Sequence, residues 1–98
     1  MAEYRLSNEA KIDLIIIHQY GVEKFGEIQA DNYFNTCFDY FDMIAERPFS
    51  YESVDPIKEG YRLCVCGVDS IYFRINDNDN IVEIMAIIGQ QDITGIII

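Results

Sequence analysis

The sequence predicts an α+β fold in the order β-α-α-β-β-β, with a helical hairpin packed on a mainly antiparallel four-stranded sheet. Two helical patterns run from Asn8 to about Phe25 and from Glu27 to Arg47, and only Gly26 separates them. Because so short a connection joins antiparallel neighbours, the helices should form a hairpin. Three segments that alternate apolar and polar residues follow, and this period of two indicates strands. Helices and strands that are segregated along the chain are typical of the α+β class.

The first two elements are a short strand and the first helix. Residues Glu3 to Leu6 alternate in polarity, and Ser7 stands where a helix N-cap is expected, with Glu9 in the first turn. The helix then runs from Asn8 to the glycine stop. The apolar residues on one of its sides, which the hairpin should bury, are Ile12, Ile15, Ile16 and Tyr20.

The second helix carries the clearest 3.6-residue pattern of the chain. From Glu27 its apolar residues follow the spacing i, i+3, i+4, i+7 for about five turns, and Arg47-Pro48 ends the helix. The predicted buried residues are Ala30, Tyr33, Phe34, Cys37, Phe38, Phe41, Ile44 and Ala45. Residues 47 to 60 lack periodicity and are predicted to form a loop.

Three strands are predicted in the second half of the chain. They run from Tyr61 to Cys66, from Ser70 to Ile75 and from Ile81 to Ile88, with a turn at Gly67-Val68 and a polar turn over residues 76 to 80. Alternation assigns these residues to the apolar face that packs on the helices: Leu63, Val65, Ile71, Phe73, Ile75, Val82, Ile84, Ala86 and Ile88. The whole chain, residues 1–98, is predicted to be one domain that ends in an apolar tail, residues 90–98.

Composition excludes several classes of function. Lys and Arg number 7 and Asp and Glu number 17, so the net charge is −10. Such a surface should be repelled by nucleic acid and by anionic lipid. The longest apolar run, Leu14 to Ile17, is far shorter than a membrane span. An odd number of cysteines and a polar start without a secretory signal predict a cytoplasmic protein.

No catalytic residue, metal site or cofactor is predicted. The C-x-C pair that begins at Cys64, taken with His18, lacks the second spaced pair of a zinc site. The acidic turn at Asp77 lacks the glycine and the glutamate of a calcium loop. A Cys–His nucleophile pair is disfavoured because Cys37 belongs to the predicted core and nothing would orient the histidine.

Two arginines and a tyrosine are predicted to share the open face of the sheet. Alternation places Arg62, Tyr72 and Arg74 opposite the apolar side. These groups could bind phosphate in a nuclease-like site, or they could pair with carboxylates of a bound peptide and tie the sheet face to its surroundings. The net charge of −10 favours the second interpretation, since phosphate binding depends on clustered cations.

Six segments match a known family in order and spacing, over about residues 3 to 92. The segments are Glu3 to Leu14, Tyr20 to Gly26 with Gln29-Ala30, Ile44 to Pro48, Gly60 to Arg62, Ile71 to Ile75, and Val82 to Asp92. Together with the β-α-α-β-β-β order, they resemble the ParE-type toxins of the RelE/ParE superfamily. The resemblance implies the toxin of a type II toxin–antitoxin pair, with a RelE/ParE-like fold.

The resemblance also implies partners. It implies DNA gyrase as the target and a cognate ParD-like antitoxin that wraps the toxin with a helix and an extended segment, giving a hetero-oligomer. The RelE branch instead cleaves messenger RNA on the ribosome, so a ribosome-dependent endoribonuclease is an alternative, as is a degenerate toxin that only binds its antitoxin. After Arg74 the chain has no Lys, Arg, His or Tyr, which leaves a ribonuclease without an acid/base group. Relatives often carry basic residues where this chain has Ala86 and Gln91, and a His near Asp69.

The predicted antitoxin surface is the groove between the helical hairpin and the sheet, with the Ile-rich tail close by. The tail is too apolar to be exposed to water without cost, so it should fold back or be covered by a partner. The predicted partner-binding residues are Arg62, Tyr72, Arg74, Gln90, Gln91, Asp92, Ile93 and Ile96.

Overall fold

The computed structural model describes residues 3–55 and 58–89 and confirms the α+β class. The two helices are α1 (Asn8–Phe25) and α2 (Glu27–Glu46), and a short 3₁₀ turn (Pro48–Ser50) follows them. The strands are β1 (Tyr4–Leu6), β2 (Glu52–Ser53), β3 (Tyr61–Cys66), β4 (Asp69–Asn76) and β5 (Ile81–Gly89). Their order in the sheet is β1-β5-β4-β3-β2, and only β1 and β5 run parallel.

The sheet has five strands rather than the predicted four. The additional strand, β2, lies inside the predicted loop, where Glu52 and Ser53 pair with Leu63 and Arg62 of β3. Two residues cannot display a period of two, so β2 is set by its partner strand and not by its own pattern.

The start of α1 and the junction between α1 and α2 lie where the sequence predicts them, because local residues determine both positions. The Ser7 hydroxyl accepts a hydrogen bond from the Ala10 backbone N–H at 3.0 Å and caps α1. Gly26 has a φ of 93°, a conformation that favours glycine, and it joins the helices without any further residue. The predicted buried side of α2 is also confirmed, since Cys37, Phe41 and Ile44 are fully enclosed.

The predicted buried side of α1 is wrong. Ile12, Ile15, Ile16 and Tyr20 are 44–56% exposed. The helix instead turns Ala10, Leu14 and Ile17 toward the core. The small residue Gly21 permits this orientation, because a Cβ added there would lie 3.2 Å from the Ala30 Cβ on α2. Although α1 exposes an apolar stripe, neither helix in the described part of the chain is long and apolar enough to cross a membrane.

The face that β3 turns toward the helices also differs from the prediction. Cys64 and Cys66 are buried, whereas Val65 is 62% exposed and Leu63 points to the same open side. Cys37 of α2 and Cys66 of β3 belong to the same buried core cluster, and the Cys66 side chain together with burial raises the pKa of the Cys37 thiol. Small thiols behave as small apolar groups and fit between α2 and the sheet.

A β-bulge in β5 reverses the inward and outward faces of its last residues. Ile84 and Ala86 lie opposite consecutive residues of β4, so Met85 is the extra residue. A shift of one residue moves every later side chain to the other face of the sheet. As a result Ile87 is buried, and the predicted inward positions of Ala86 and Ile88 are wrong.

Candidate partner-binding groove

An apolar groove of about 400 Å³ opens between α1, the start of α2, the start of β4 and the end of β5. Its walls include Ile16, Tyr20 and Phe25 from the hairpin, Val68 from the turn between β3 and β4, and Ile87 from β5. The groove exists because β1 pairs only with the first half of β5, residues 82–84, and α1 rather than a strand lies beside the second half. It occupies the place where the sequence predicts a groove.

The rim of the groove exposes large apolar side chains. Ile16 is 56% exposed, Tyr20 is 44% exposed and Phe25 is 62% exposed. Single exposed apolar residues are common, but a contiguous group that lines a concave surface marks an interaction site. Sequence reasoning assigned Ile16 and Tyr20 to the core and did not identify Phe25 as a site residue.

Asp13 lines the groove and is half-buried, on the side of α1 that faces β5. Its Oδ2 accepts a hydrogen bond from the Ile87 backbone N–H at 3.0 Å. This contact covers the edge of β5 just beyond the bulge, where β1 has ended. Burial raises the pKa of the Asp13 carboxyl, and the nearby Glu9 carboxylate adds to the rise, although the hydrogen bond from Ile87 opposes it.

The second carboxylate of the groove, Asp69, is 4% exposed and is held by Tyr33 of α2. The Tyr33 hydroxyl lies 2.5 Å from Asp69 Oδ2 and 2.8 Å from the Cys66 carbonyl oxygen, so its single proton is shared between these two acceptors. Burial, together with the hydrogen bond to Asp69, raises the pKa of Tyr33 far above its ordinary value. The phenol therefore stays a neutral donor that ties α2 to the turn between β3 and β4.

We expect Tyr33→Phe to reduce the free energy of unfolding by about 1–2 kcal/mol, because it leaves the buried Asp69 without its phenol donor. Denaturant unfolding at neutral pH measures the change. Tyr20→Phe, at the exposed rim, is the matched control and should change stability by less than about 0.5 kcal/mol. Equal losses in the two variants would contradict the role of the Tyr33 hydroxyl.

The three sheet residues predicted to bind a partner do not share one face. Tyr72 and Arg74 lie on the open face as predicted, but β3 turns Arg62 to the opposite side. There the Arg62 Nη1 donates to the Tyr51 carbonyl oxygen at 2.7 Å, and the guanidinium lies 5.1 Å from the centroid of the Phe49 ring. Arg62 therefore ties the 3₁₀ turn to the sheet, and the predicted three-residue surface does not form.

Arg74 is paired within the chain. Its Nε donates to Glu83 Oε1 at 2.7 Å, and Arg5 reaches Glu83 Oε2 at 3.0 Å and Asp79 Oδ2 at 3.3 Å. The Arg74 guanidinium holds the pKa of the Glu83 carboxyl below its usual range. The cations of the open sheet face are thus neutralised by carboxylates of β5 and of the turn before it.

We expect Glu83→Gln to lower the Tm by about 2–5 °C at neutral pH, because it removes the shared partner of two arginines. Since the pKa of Glu83 is lower in the folded state, this stabilisation is present above the ordinary Glu pKa and is lost as the pH falls through the lowered value. Thermal melts across the acidic range measure both effects. Glu59→Gln, in an exposed loop, should leave the Tm unchanged, and a Glu83→Gln deficit that persisted in acid would contradict the ion-pair explanation.

The other predicted partner-binding residues, Gln90, Gln91, Asp92, Ile93 and Ile96, lie outside the described residues. Their role stays a prediction. The last described residue, Gly89, lines the groove.

Asp13 is a groove residue that sequence reasoning missed, although the sequence contains a signal that could have identified it. It is the only charged residue between Ile12 and Ile17, a run that is otherwise apolar. A carboxylate in such a run on a packed helix needs a partner, and the structure supplies the Ile87 N–H.

Comparison with known proteins agrees with the resemblance seen in the sequence. The family model described as "ParE toxin of type II toxin-antitoxin system, parDE" matches residues 4–94. Toxin ParE1 of Caulobacter vibrioides is 32% identical over 85 residues, which cover 87% of this chain and 88% of that protein. A chain of the solved structure described as "Chromosomal ParDE TA system from P. aeruginosa" superposes with a TM-score of 0.78 at 16% identity, covering 91% of this chain and 96% of that one. This structural likeness is one of fold.

Proposed function

This chain belongs to the ParE toxin family of type II toxin–antitoxin systems, and from that membership we propose that it inhibits growth by contact with a protein target in the cytoplasm. The proposed target is DNA gyrase, as the resemblance to the ParE branch implies. A ParD-like antitoxin neutralises the toxin by occupying the groove between the hairpin and the sheet.

The exposed apolar lining of the groove is the observation that supports antitoxin binding at this site. Ile16, Tyr20 and Phe25 belong to one helix and line one concave surface, yet each is 44–62% exposed. Exposure of this kind is costly in a free toxin and is removed when a partner segment covers the lining. An amphipathic segment in an apolar groove is a common mode of peptide recognition.

The placement of the basic groups supports contact over catalysis. A metal-free ribonuclease needs free cations and an acid/base group around one phosphate. Arg74 is engaged by Glu83, and Arg62 lies on the other face of the sheet. No Lys, Arg, His or Tyr follows Arg74 in the sequence. The ribonuclease alternative therefore gains no support from the sheet face.

Induced expression, with and without co-expression of a cognate ParD-like antitoxin, tests this function. We expect growth arrest only without that protein, and inhibition of gyrase supercoiling by the purified chain. Growth arrest without inhibition of gyrase supercoiling, together with new cleavage sites in translated messages, would contradict the proposal and support the ribonuclease alternative. Tight antitoxin binding without any growth defect would indicate a degenerate toxin.

A further inference from the structure

We infer that the groove accepts a cationic apolar segment, in which a Lys or Arg side chain reaches the Asp13 carboxylate in the groove wall. The inference rests on the proposed function and names the chemistry of the partner that occupies the site. It follows from three observations: the environment of Asp13, the composition of the lining, and the charge of the possible occupants.

Asp13 is a charged group without a cation in an apolar setting. Its immediate surroundings in the groove include Ile16 and Ile17, and its Oδ2 bonds the neutral Ile87 N–H. Within residues 3–55 and 58–89, ion pairs form around Arg5, His18 and Arg74, and none of them includes Asp13. A guanidinium or ammonium group from a partner would form the charge-assisted hydrogen bond that the chain itself does not provide.

The carboxylate is also held at a cost to the fold. Burial raises the pKa of Asp13, which means that the ionised form is less favourable in the folded chain than in the unfolded one. The cost is present at neutral pH and declines as the pH falls toward the ordinary Asp pKa of about 3.9. A partner cation beside the carboxylate would stabilise its ionised form. The negative charge, which destabilises the free chain, would then favour binding.

Charge also discriminates among the possible occupants. The described lining contains two carboxylates, Asp13 and Asp69, and no Lys, Arg or His. The chain's own tail, residues 90–98, contributes Asp92 and no basic residue, and a second copy of the chain carries the same net charge of −10. Both would bring negative charge to an acidic groove. A foreign segment with positive charge is the occupant that complements it.

The test is a selection of random displayed peptides of about 15 residues, long enough for a short amphipathic helix, against the immobilised full chain. The selection is run in parallel on wild type, on Asp13→Asn and on Asp39→Asn. Asn at position 13 can still accept from the Ile87 N–H, so only the charge is lost. Asp39 is an exposed carboxylate on α2 and controls for general attraction to an acidic protein.

We expect wild type and Asp39→Asn to select the same peptides, which combine apolar residues with Lys or Arg. Synthetic copies should bind Asp13→Asn about 10-fold more weakly, and their affinity for wild type should fall between about 50 mM and about 300 mM salt. The Asp13→Asn variant should melt at an equal or higher temperature than wild type at neutral pH, which excludes misfolding as the cause.

Three results would overturn the inference: selected peptides without enrichment in Lys or Arg, equal binding to wild type and Asp13→Asn, or no peptide that depends on the groove because the tail already fills it. Failure of the proposed function is distinguishable. It is read from growth and gyrase assays, and a chain that fails those assays can still select cationic peptides.

Discussion

Ile16→Asp should weaken binding of the proposed antitoxin by at least about 30-fold and leave the fold intact. Ile16 lines the groove and is 56% exposed, so the substitution removes apolar contact area without opening a cavity in the core. The new carboxylate would also be desolvated in the apolar wall of the groove, without the backbone N–H that holds the Asp13 carboxylate. Titration calorimetry with the purified antitoxin measures affinity, and a thermal melt checks the fold.

Ile12→Asp is the matched control for this result. Ile12 lies one turn earlier on α1 and is 55% exposed, but it is not among the described residues that line the groove. The two substitutions add the same charge to the same helix at equal exposure. We therefore expect the control to change affinity by less than about 3-fold. Equal losses in both variants would place the antitoxin on the outer side of α1 and contradict binding in the groove.

The elements of this fold could be predicted because their boundaries depend on local chemistry. Ser7 caps α1, Gly26 adopts the positive φ that ends it, and Pro48 cannot continue α2. The buried side of α2 was also predictable, since its apolar residues form one stripe. Nothing beyond neighbouring residues is needed for these assignments.

The orientation of α1 could not be predicted, because the helix is apolar on two sides. Ile12 and Ile16 form one stripe, whereas Leu14 and Ile17 form another, and periodicity alone cannot choose between them. The choice is made by close packing at Gly21, which depends on a residue of the other helix. The groove lining was missed for the same reason, although the location of a groove between the hairpin and the sheet was predicted.

The faces of two strands could not be predicted for a different reason. Strand β5 is apolar at nearly every position, so no alternation marks the extra residue Met85. Strand β3 carries apolar residues or thiols on both faces, and its pairing with β4 decides which are buried. Because the prediction exchanged the two faces of β3, it placed Arg62 on the wrong side of the sheet. A surface predicted from two strands is correct only if the inward-facing and outward-facing residues of both strands are assigned correctly.

Phe41→Ala should cost about 3–5 kcal/mol of the free energy of unfolding. The Phe41 ring is fully buried, and its centroid lies 5.5 Å from that of Tyr4 on β1 and 5.3 Å from that of Phe38 on α2. Its removal leaves a cavity where α2 packs on the sheet. Because a domain of this size has a total stability of about 5–15 kcal/mol, the loss should appear as a large drop in the denaturant midpoint.

Phe49→Ala separates the effect of burial from that of losing an aromatic ring. Phe49 is 72% exposed and contacts the Arg62 guanidinium at 5.1 Å, an interaction that contributes about 0.5–1 kcal/mol at an exposed site. The same chemical change should therefore cost several times less at position 49 than at position 41. Comparable losses would mean that the 3₁₀ turn, which Arg62 ties to the sheet, contributes as much to the fold as the contact between α2 and β1.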